Sequence, residues 1–296
     1  MADELTFEPT LFDRPGQWLK GGFHCHSTES DGGLSPAGTV ARYSERGYGV
    51  LGITDHGVVT DTEDLAAEGL ITLNSTENGG HPDIIGVGVS EAVPPERSLA
   101  DRARALADQG GFTIAAHPTY CAVTPADYLR CPDLMALEIL NAYCDEAYAN
   151  GYATELWDML LGQGKRIWGV AGDDAHLNPR KRYYSDAGRA WVEIWAAEQT
   201  PAGVLTALRT GAFYSTQGPS FTAIRAEGAR LEVECSPVAQ VRWRTYGSVG
   251  FVDWAPEGGS LTRSELPEGF GTRVFVRVEL VDAAGLKAWS NPFFVA

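Results

Sequence analysis

The chain has 296 residues, 44% of them apolar, enough for one large domain, a small second one and a sizeable core. Lysine and arginine number 23 against 39 aspartates and glutamates, a formal charge of -16. That balance argues against binding along a nucleic-acid duplex, and leaves room for a small anion only where something local reverses the field. No run approaches the roughly eighteen apolar residues of a membrane span. Met1-Ala2-Asp3-Glu4 lacks the basic and apolar regions of a secretory signal, so a cytoplasmic protein without a membrane partner is expected. The five cysteines (25, 121, 131, 144 and 235) are odd in number and scattered, with no Cys-x-x-Cys, and so read as reduced and packed.

Up to about residue 217, short apolar runs alternate with helical stretches. The runs, expected as strands, are 21–26, 49–54, 70–77, 83–89, 111–117, 135–141, 166–172 and 190–196. Most are continuously apolar, as strands covered on both faces are. Ser35-Pro36, Thr124-Pro125 and Thr200-Pro201 each set an N-cap residue before a proline suited to the first helical turn, and Gly47, Gly110 and Gly211 stand where helices should stop. Alternation of this kind implies parallel strands with crossover helices, and this many units favours a closed (β/α) barrel in residues 1–217. Functional residues of such barrels gather at the C-terminal strand ends. From 218 to 296 the pattern changes to short strands without helices, 221–226, 230–235, 240–246 and 272–281. In the last of these Val274, Val276, Val278 and Leu280 alternate with Arg273, Phe275, Arg277 and Glu279, predicting a small antiparallel module, a β-sandwich.

The six histidines all fall at or beside the end of an apolar run. In Phe23-His24-Cys25-His26 alternate side chains share a face, so His24 and His26 project together, as half of a metal site does. Asp31 follows in a Ser30-Asp31-Gly32-Gly33 turn, where it serves either as turn former or as ligand. Asp55 and His56 end the second run. Glu77 ends the third, and His81 follows across Asn78-Gly79-Gly80, at the same end if 83–89 runs back. His117 closes Ile114-Ala115-Ala116-His117-Pro118. In Gly172-Asp173-Asp174-Ala175-His176 the same alternation pairs Asp174 with His176 and turns Asp173 away. Each residue alone has a simpler use, a histidine capping a carbonyl or Asp55 and Asp173 capping a helix. Together they put six histidines and at least three carboxylates on one face, which predicts a metal centre.

These motifs, over about residues 20 to 216, resemble the ordered motifs of the PHP (polymerase and histidinol phosphatase) superfamily. Within it the chain is most similar to the CehA/McbA-like metallohydrolases, which Gly211-Ala212-Phe213-Tyr214-Ser215-Thr216-Gln217-Gly218-Pro219 and Lys287-Ala288-Trp289-Ser290-Asn291-Pro292 also resemble. The resemblance implies an α/β fold, a distorted seven-stranded (β/α) barrel followed by a β-rich tail, with two or three divalent ions (Mn, Fe or Zn) at the C-terminal mouth. It implies His24, His26, Asp31, His56, Glu77, His81, His117, Asp174 and His176 as their ligands. Asp31, Glu77 and His117 are then the side chains expected to act beside a metal-bound hydroxide, with Glu77 as the bridging carboxylate. Three divalent ions against three carboxylates leave the mouth cationic inside an acidic protein, so a small phosphate ester is the expected substrate and a phosphoesterase the expected enzyme. Arg180, Lys181 and Arg182 follow His176 and offer anion-binding forks, or a solvated loop. Tyr120 and Tyr143 follow strand ends and are expected either to line the pocket or simply to pack. The same hydroxide attacks a carbonyl, so a carbamate or amide-ester hydrolase is the alternative. A non-catalytic metal-dependent binding module is disfavoured, because a structural site needs only about four ligands.

Overall fold

A computed structural model describes residues 6–8, 10, 12–65, 69–180, 186–247, 249–271 and 274–296. Seven strands make the part that carries the histidines: β1 (Gln17–Gly22), β2 (Val50–Ile53), β3 (Ile71–Asn78), β4 (Ile84–Val87), β5 (Phe112–Ala115), β6 (Ala136–Asn141) and β7 (Trp168–Gly172). They are neighbours in chain order. β1–β2, β2–β3, β5–β6 and β6–β7 pair parallel. Helices bridge three of those pairs: α1 (Pro36–Glu45) lies between β1 and β2, α3 (Pro125–Leu129) between β5 and β6, and α5 (Thr154–Gly162) between β6 and β7.

The expectation of parallel strands throughout does not hold at β4, which is antiparallel to both β3 and β5. Residues 79–83, between β3 and β4, are too few for the dozen or so that a crossover needs. β8 (Trp191–Ala196) likewise runs antiparallel to β1, Leu19 opposite Ile194. Beyond β1 and β7 the chain pairs once more, parallel, at Cys25 and Ala175, where the His26 amide donates to the Ala175 carbonyl at 2.9 Å. The first and seventh strands therefore meet. β2, β4, β5 and β6 are buried along their whole length, which accounts for their unbroken apolar runs.

The helix starts fall where the caps place them. The Ser35 side chain accepts from the Gly38 amide and that of Thr200 from the Gly203 amide, opening α6 (Pro201–Thr210). At α3 the Asp127 carboxylate accepts from the Thr124 amide. Gly211 ends α6 at φ 75°, a left-handed position costly for a residue with a Cβ. Two more helices, α2 (Leu99–Asp108) and α4 (Ala142–Tyr148), flank the strands. Fully buried Trp157 of α5 anchors the helical side, its indole N–H donating to the Ile167 carbonyl at 2.9 Å. No described helix is long and apolar enough to cross a membrane.

The backbone ladder continues past residue 217. β9 (Phe213–Thr216) pairs with β8 and, on its other edge, with β16 (Lys287–Ser290), Ser215 opposite Trp289. From β16 the sheet continues through β15 (Phe275–Val281) and β12 (Gln240–Arg244) to β13 (Gly250–Trp254), so one 14-stranded sheet runs through both parts of the chain, with β17 (Phe293–Phe294) paired to β15. β10 (Phe221–Glu227), β11 (Arg230–Val238) and β14 (Leu261–Glu265) form a separate three-stranded sheet. Ile224, Leu231 and Val233 of this sheet share one apolar cluster with Trp243, Val278 and Leu280 of the other.

β15 is buried at every position, Arg277 and Glu279 included. Glu279 accepts from Arg242 Nη1 of β12 at 2.8 Å, whereas Arg277 meets α5. Arg277 Nε donates to Asp158 Oδ1 at 2.6 Å and Nη2 to Oδ2 at 2.9 Å, with the guanidinium 5.1 Å from the Trp157 ring.

Candidate metal centre

Past its last rung with β2, the first strand continues as Phe23-His24-Cys25-His26. Alternation holds: Cys25 is buried in the cluster containing Tyr43 and Ile53, while the His24 and His26 rings lie 5.4 Å apart on the other side. The Cys25–Ala175 rung sets Asp174 and His176 beside them. Asp174 Oδ1 lies 3.1 Å from His26 Nε2 and 3.4 Å from His24 Nε2. Asp174 holds a left-handed backbone at φ 51°, and His117 does so at φ 27°. Non-glycine residues pay for that geometry, and such strain gathers at functional sites.

Asp173 points the other way, as alternation requires. Its carboxylate accepts from the amides of Gly188, Arg189 and Ala190 and from the hydroxyls of Tyr43 and Tyr48. Asp55 is likewise committed, accepting from the Ser27 amide and the Ser27, Ser30 and Thr60 hydroxyls. It braces the turn that carries Asp31. His56, one residue on, forms an isolated parallel bridge with Glu77.

Glu77, at the end of β3, is the hub. Its Oε2 lies 3.0 Å from His56 Nδ1, 3.4 Å from His24 Nε2 and 3.6 Å from His26 Nε2, and its Oε1 lies 2.9 Å from His117 Nε2. Asp31 completes the outer side, Oδ2 3.3 Å from His176 Nε2 and Oδ1 3.6 Å from His56 Nε2. Three groups emerge whose donor atoms fall within 4.8 Å of one another: His26, Asp31, His56 and His176; His24, His26 and Asp174; His24, Glu77 and His117.

Eight of the nine predicted ligands are thus brought together. His81 is not among these groups. It is exposed, at φ 37° before a cis bond to Pro82, and the turn that reverses the chain into β4 carries it outward. A fourth group, Asp83, His117 and Cys121, occupies that flank instead, with Cys121 Sγ 3.4 Å from His117 Nδ1. Arg180 is exposed and is not part of the pocket wall; Arg182 and Lys181 lie outside the described residues.

Glu138 escaped the sequence analysis. It is buried mid-strand in β6, its Oε1 2.7 Å from His24 Nδ1, while Oε2 accepts from the His117 amide at 2.7 Å and from Asn141 Nδ2 at 3.0 Å. Asn141 Nδ2 also reaches Asp174 Oδ2 at 3.2 Å. Gly172 makes room for this arrangement, because a Cβ there would collide with Glu138 Oε1 and come within 3.1 Å of His24 Cβ. A lone carboxylate within the run Ala136-Leu137-Glu138-Ile139-Leu140 was the available signal, since a buried charge needs a partner.

Electrostatics follow from this crowding. Burial opposes charge on His24, but Asp174, Glu138 and Glu77 outweigh it and hold its pKa well above the usual imidazole value. Burial likewise opposes charge on His117, whose Cys121 and Glu77 contacts raise its pKa well above that value, whereas burial wins at His26 and lowers it. Burial resists ionisation of Glu77, yet His24, His117 and His56 hold it well below the carboxylate range.

The donors fit divalent ions. His24 Nε2 and Glu77 Oε2, 3.4 Å apart, are buried without a hydrogen-bond partner, and so is His26 Nδ1, 3.9 Å from Asp31 Oδ1. Such atoms are costly unless something else satisfies them. Nitrogen and oxygen donors without thiolate in the main groups suit borderline or hard ions. The cluster opens on a pocket of about 260 Å³ whose further wall is Tyr120, Tyr143, Tyr148, Cys144 and Asp83.

With this geometry established, comparison with known proteins adds the following. No family model matches the chain. Over its whole length the chain is similar in structure to a two-domain protein of Bacteroides vulgatus containing a predicted PHP-like metal-dependent phosphoesterase, with TM-score 0.53, 14% identity and 99% of that chain covered. The fold is thus PHP-like, a mixed α/β architecture. An amidohydrolase of Chromobacterium violaceum with bound sulfate aligns over 53% of this chain and 87% of its own, with TM-score 0.42 and 15% identity. In sequence, 100 residues are 29% identical to a 5'-3' exoribonuclease of Haemophilus influenzae, a match spanning 31% of this chain and 36% of that protein.

Proposed function

We propose that the chain is a PHP-type metal-dependent phosphoesterase acting on small phosphate esters, in the CehA/McbA-like branch. Its strands β1–β7, joined end to end at the Cys25–Ala175 rung, read as a distorted seven-stranded barrel over residues 1–217, and the two sheets packed across Trp243 read as a sandwich over 218–296. The observation that carries the function is Glu77, one buried carboxylate within 3.6 Å of four imidazoles. A structural site has no use for so many donors around one oxygen pair.

In this reading His24, His26, Asp31, His56, Glu77, His117, Asp174 and His176 hold two or three Mn, Fe or Zn ions. Bound there, such ions would supply Lewis acidity toward the phosphoryl oxygens and a water acidic enough to attack at neutral pH. The chain's own residues orient the donors. Glu138 Oε1 accepts a hydrogen bond from His24 Nδ1–H, holding the tautomer whose Nε2 faces the cluster, and Asn141 holds Asp174 from behind. Burial and the neighbouring Tyr148 push the Tyr143 hydroxyl up to about 12, so it remains a proton donor at the mouth. Small esters are preferred over RNA because a net charge of -16 opposes a polyanion.

The test is reconstitution with each metal, elemental analysis, and a screen of phosphomonoesters, phosphodiesters and carbamates. At least two ions per chain and chelator-sensitive phosphoester turnover are expected. One ion or none refutes the multinuclear centre, and turnover of carbamates alone transfers the same centre to carbonyl chemistry.

A further inference from the structure

Opposite the metal donors the pocket wall is aromatic. Tyr120 lies three residues beyond His117, and Tyr143 and Tyr148 sit near the two ends of α4. Tyr120 and Tyr148 have ring centroids 5.3 Å apart at 35°, and Tyr143 stands edge-on to Tyr148 at 6.1 Å and 89°. Two of the rings lean on donor imidazoles, Tyr120 at 5.4 Å from His117 and Tyr143 at 5.0 Å from His176. Yet Tyr120 is 47% exposed and Tyr148 50%, so large ring faces stand in water over the mouth. Among the described residues the wall holds no lysine or arginine, and its one carboxylate outside the three main donor groups is Asp83. Among the described wall residues, charge for the ester is then left to bound ions and the imidazoles. What the protein itself offers the rest of a substrate is ring faces and ring edges.

We propose that Tyr120 and Tyr148, backed by Tyr143, form a specificity platform for a planar aromatic ring on the leaving group, so that aryl or nucleoside phosphates are taken in preference to alkyl phosphates. The inference rests on the phosphoesterase reading above. Aromatic rings favour offset or edge contacts at centroid distances of about 4.5–7 Å, the range these tyrosines already occupy among themselves. A carboxylate or second phosphate on the leaving group would meet the negative ring faces and find no lysine or arginine among the described wall residues. Tyrosine serves here where phenylalanine would be costly, since its hydroxyl stays hydrated when the pocket is empty. In the reaction water adds across the P–O bond: its oxygen joins phosphorus, the bond to the leaving oxygen breaks, and one proton ends on the departing alcohol.

The full metal-reconstituted chain is assayed on phenyl phosphate, a nucleoside 5'-monophosphate and glycerol phosphate. Aryl esters are intrinsically more reactive, so the readout is the change in the aromatic-to-alkyl ratio of kcat/KM on substitution. Tyr120→Ala and Tyr148→Ala should each lower that ratio about threefold to tenfold, mainly through KM, whereas Tyr120→Phe and Tyr148→Phe should hold it within about twofold. Which aromatic ester loses more separates an aryl from a nucleoside source. Metal content and melting temperature verify that each variant is folded and loaded. A ratio unchanged in the Tyr120→Ala/Tyr148→Ala double variant, or Phe variants as impaired as Ala variants, overturns the platform. Calorimetry with phenylphosphonate and methylphosphonate reads the platform without turnover: tighter phenylphosphonate binding that Tyr120→Ala weakens is expected, and equal affinities overturn it. Should wild type bind the aromatic phosphonate selectively yet hydrolyse no phosphate ester, the phosphoesterase reading falls while the platform stands.

Discussion

Replacing Asp158 by alanine removes the only carboxylate that forms hydrogen bonds to the guanidinium of Arg277 among the described residues. The Arg277 side chain is 1% exposed, so the charge left behind cannot reach water. Orphaning one member of a buried pair costs about 3–5 kcal/mol. Two features set the expectation at the lower end: Glu279 Oε2 lies 3.7 Å from Arg277 Nη1, and the Trp157 ring remains beneath the guanidinium. Arg244 also reaches Asp158, at 3.0 Å, but is 46% exposed, so water screens its share and Arg244→Ala should cost about 1 kcal/mol or less. Urea titration at neutral pH, followed by tryptophan fluorescence, measures both. We expect Asp158→Ala to lose about 3 kcal/mol, and Asp158→Leu combined with Arg277→Met to recover most of it. Equal losses for Asp158→Ala and Arg244→Ala, or a loss below about 1 kcal/mol for the former, would refute the claim that this pair locks β15 onto α5.

Three further outcomes are expected. Glu138→Gln keeps one acceptor where two are used, so metal affinity measured by competition with a chelator should fall about tenfold to a hundredfold; an unchanged affinity removes Glu138 from the support of His24 and His117. In the chelated protein His24, His56 and His117 have raised pKa values, so their contribution to stability is full below about pH 6.5 and is lost as pH rises through the folded values, outweighing the opposite effect at His26. Glu77 and Asp174 are depressed and act at the acid end, contributing above the usual carboxylate range and losing that contribution as pH falls through their folded values. Because ions need unprotonated imidazoles, the melting-temperature gap between loaded and chelated protein should widen from about pH 6 to 8, and a constant gap contradicts the ligand assignment. Arg180→Ala should change phosphate-ester kcat/KM by less than about twofold, since Arg180 is exposed and off the pocket wall; a larger loss would return the basic loop to the site.

The side chains that cluster at the strand ends were legible because strand alternation is a strict rule: it paired His24 with His26 and Asp174 with His176, and it turned Asp173 toward the tyrosines. Strand direction was not legible in the same way. β4 carries an apolar run as its parallel neighbours do, and only the short stretch 79–83 encodes its reversal. His81 lies outside the cluster for a related reason, since its place depends on how that turn folds. Glu138 and the burial of Arg277 arise from partners far along the chain, Glu138 meeting His24 at a separation of 114 residues and Arg277 meeting Asp158 at 119, which no local pattern reports.

The rung at Cys25 and Ala175 links the His24/His26 and Asp174/His176 pairs, which lie 148 residues apart at His26 and Asp174. One backbone hydrogen bond, from the His26 amide to the Ala175 carbonyl, sets their spacing, so fraying there separates the donors before any of them unfolds. An ion held by both pairs, as proposed, would act as a removable crosslink across a very long loop, limiting the excursions of the chain between them much as a disulfide does. The His26 amide is therefore a built-in gauge: its hydrogen exchange should slow more on metal loading than that of amides deep in β5, which the sheet already protects on both edges.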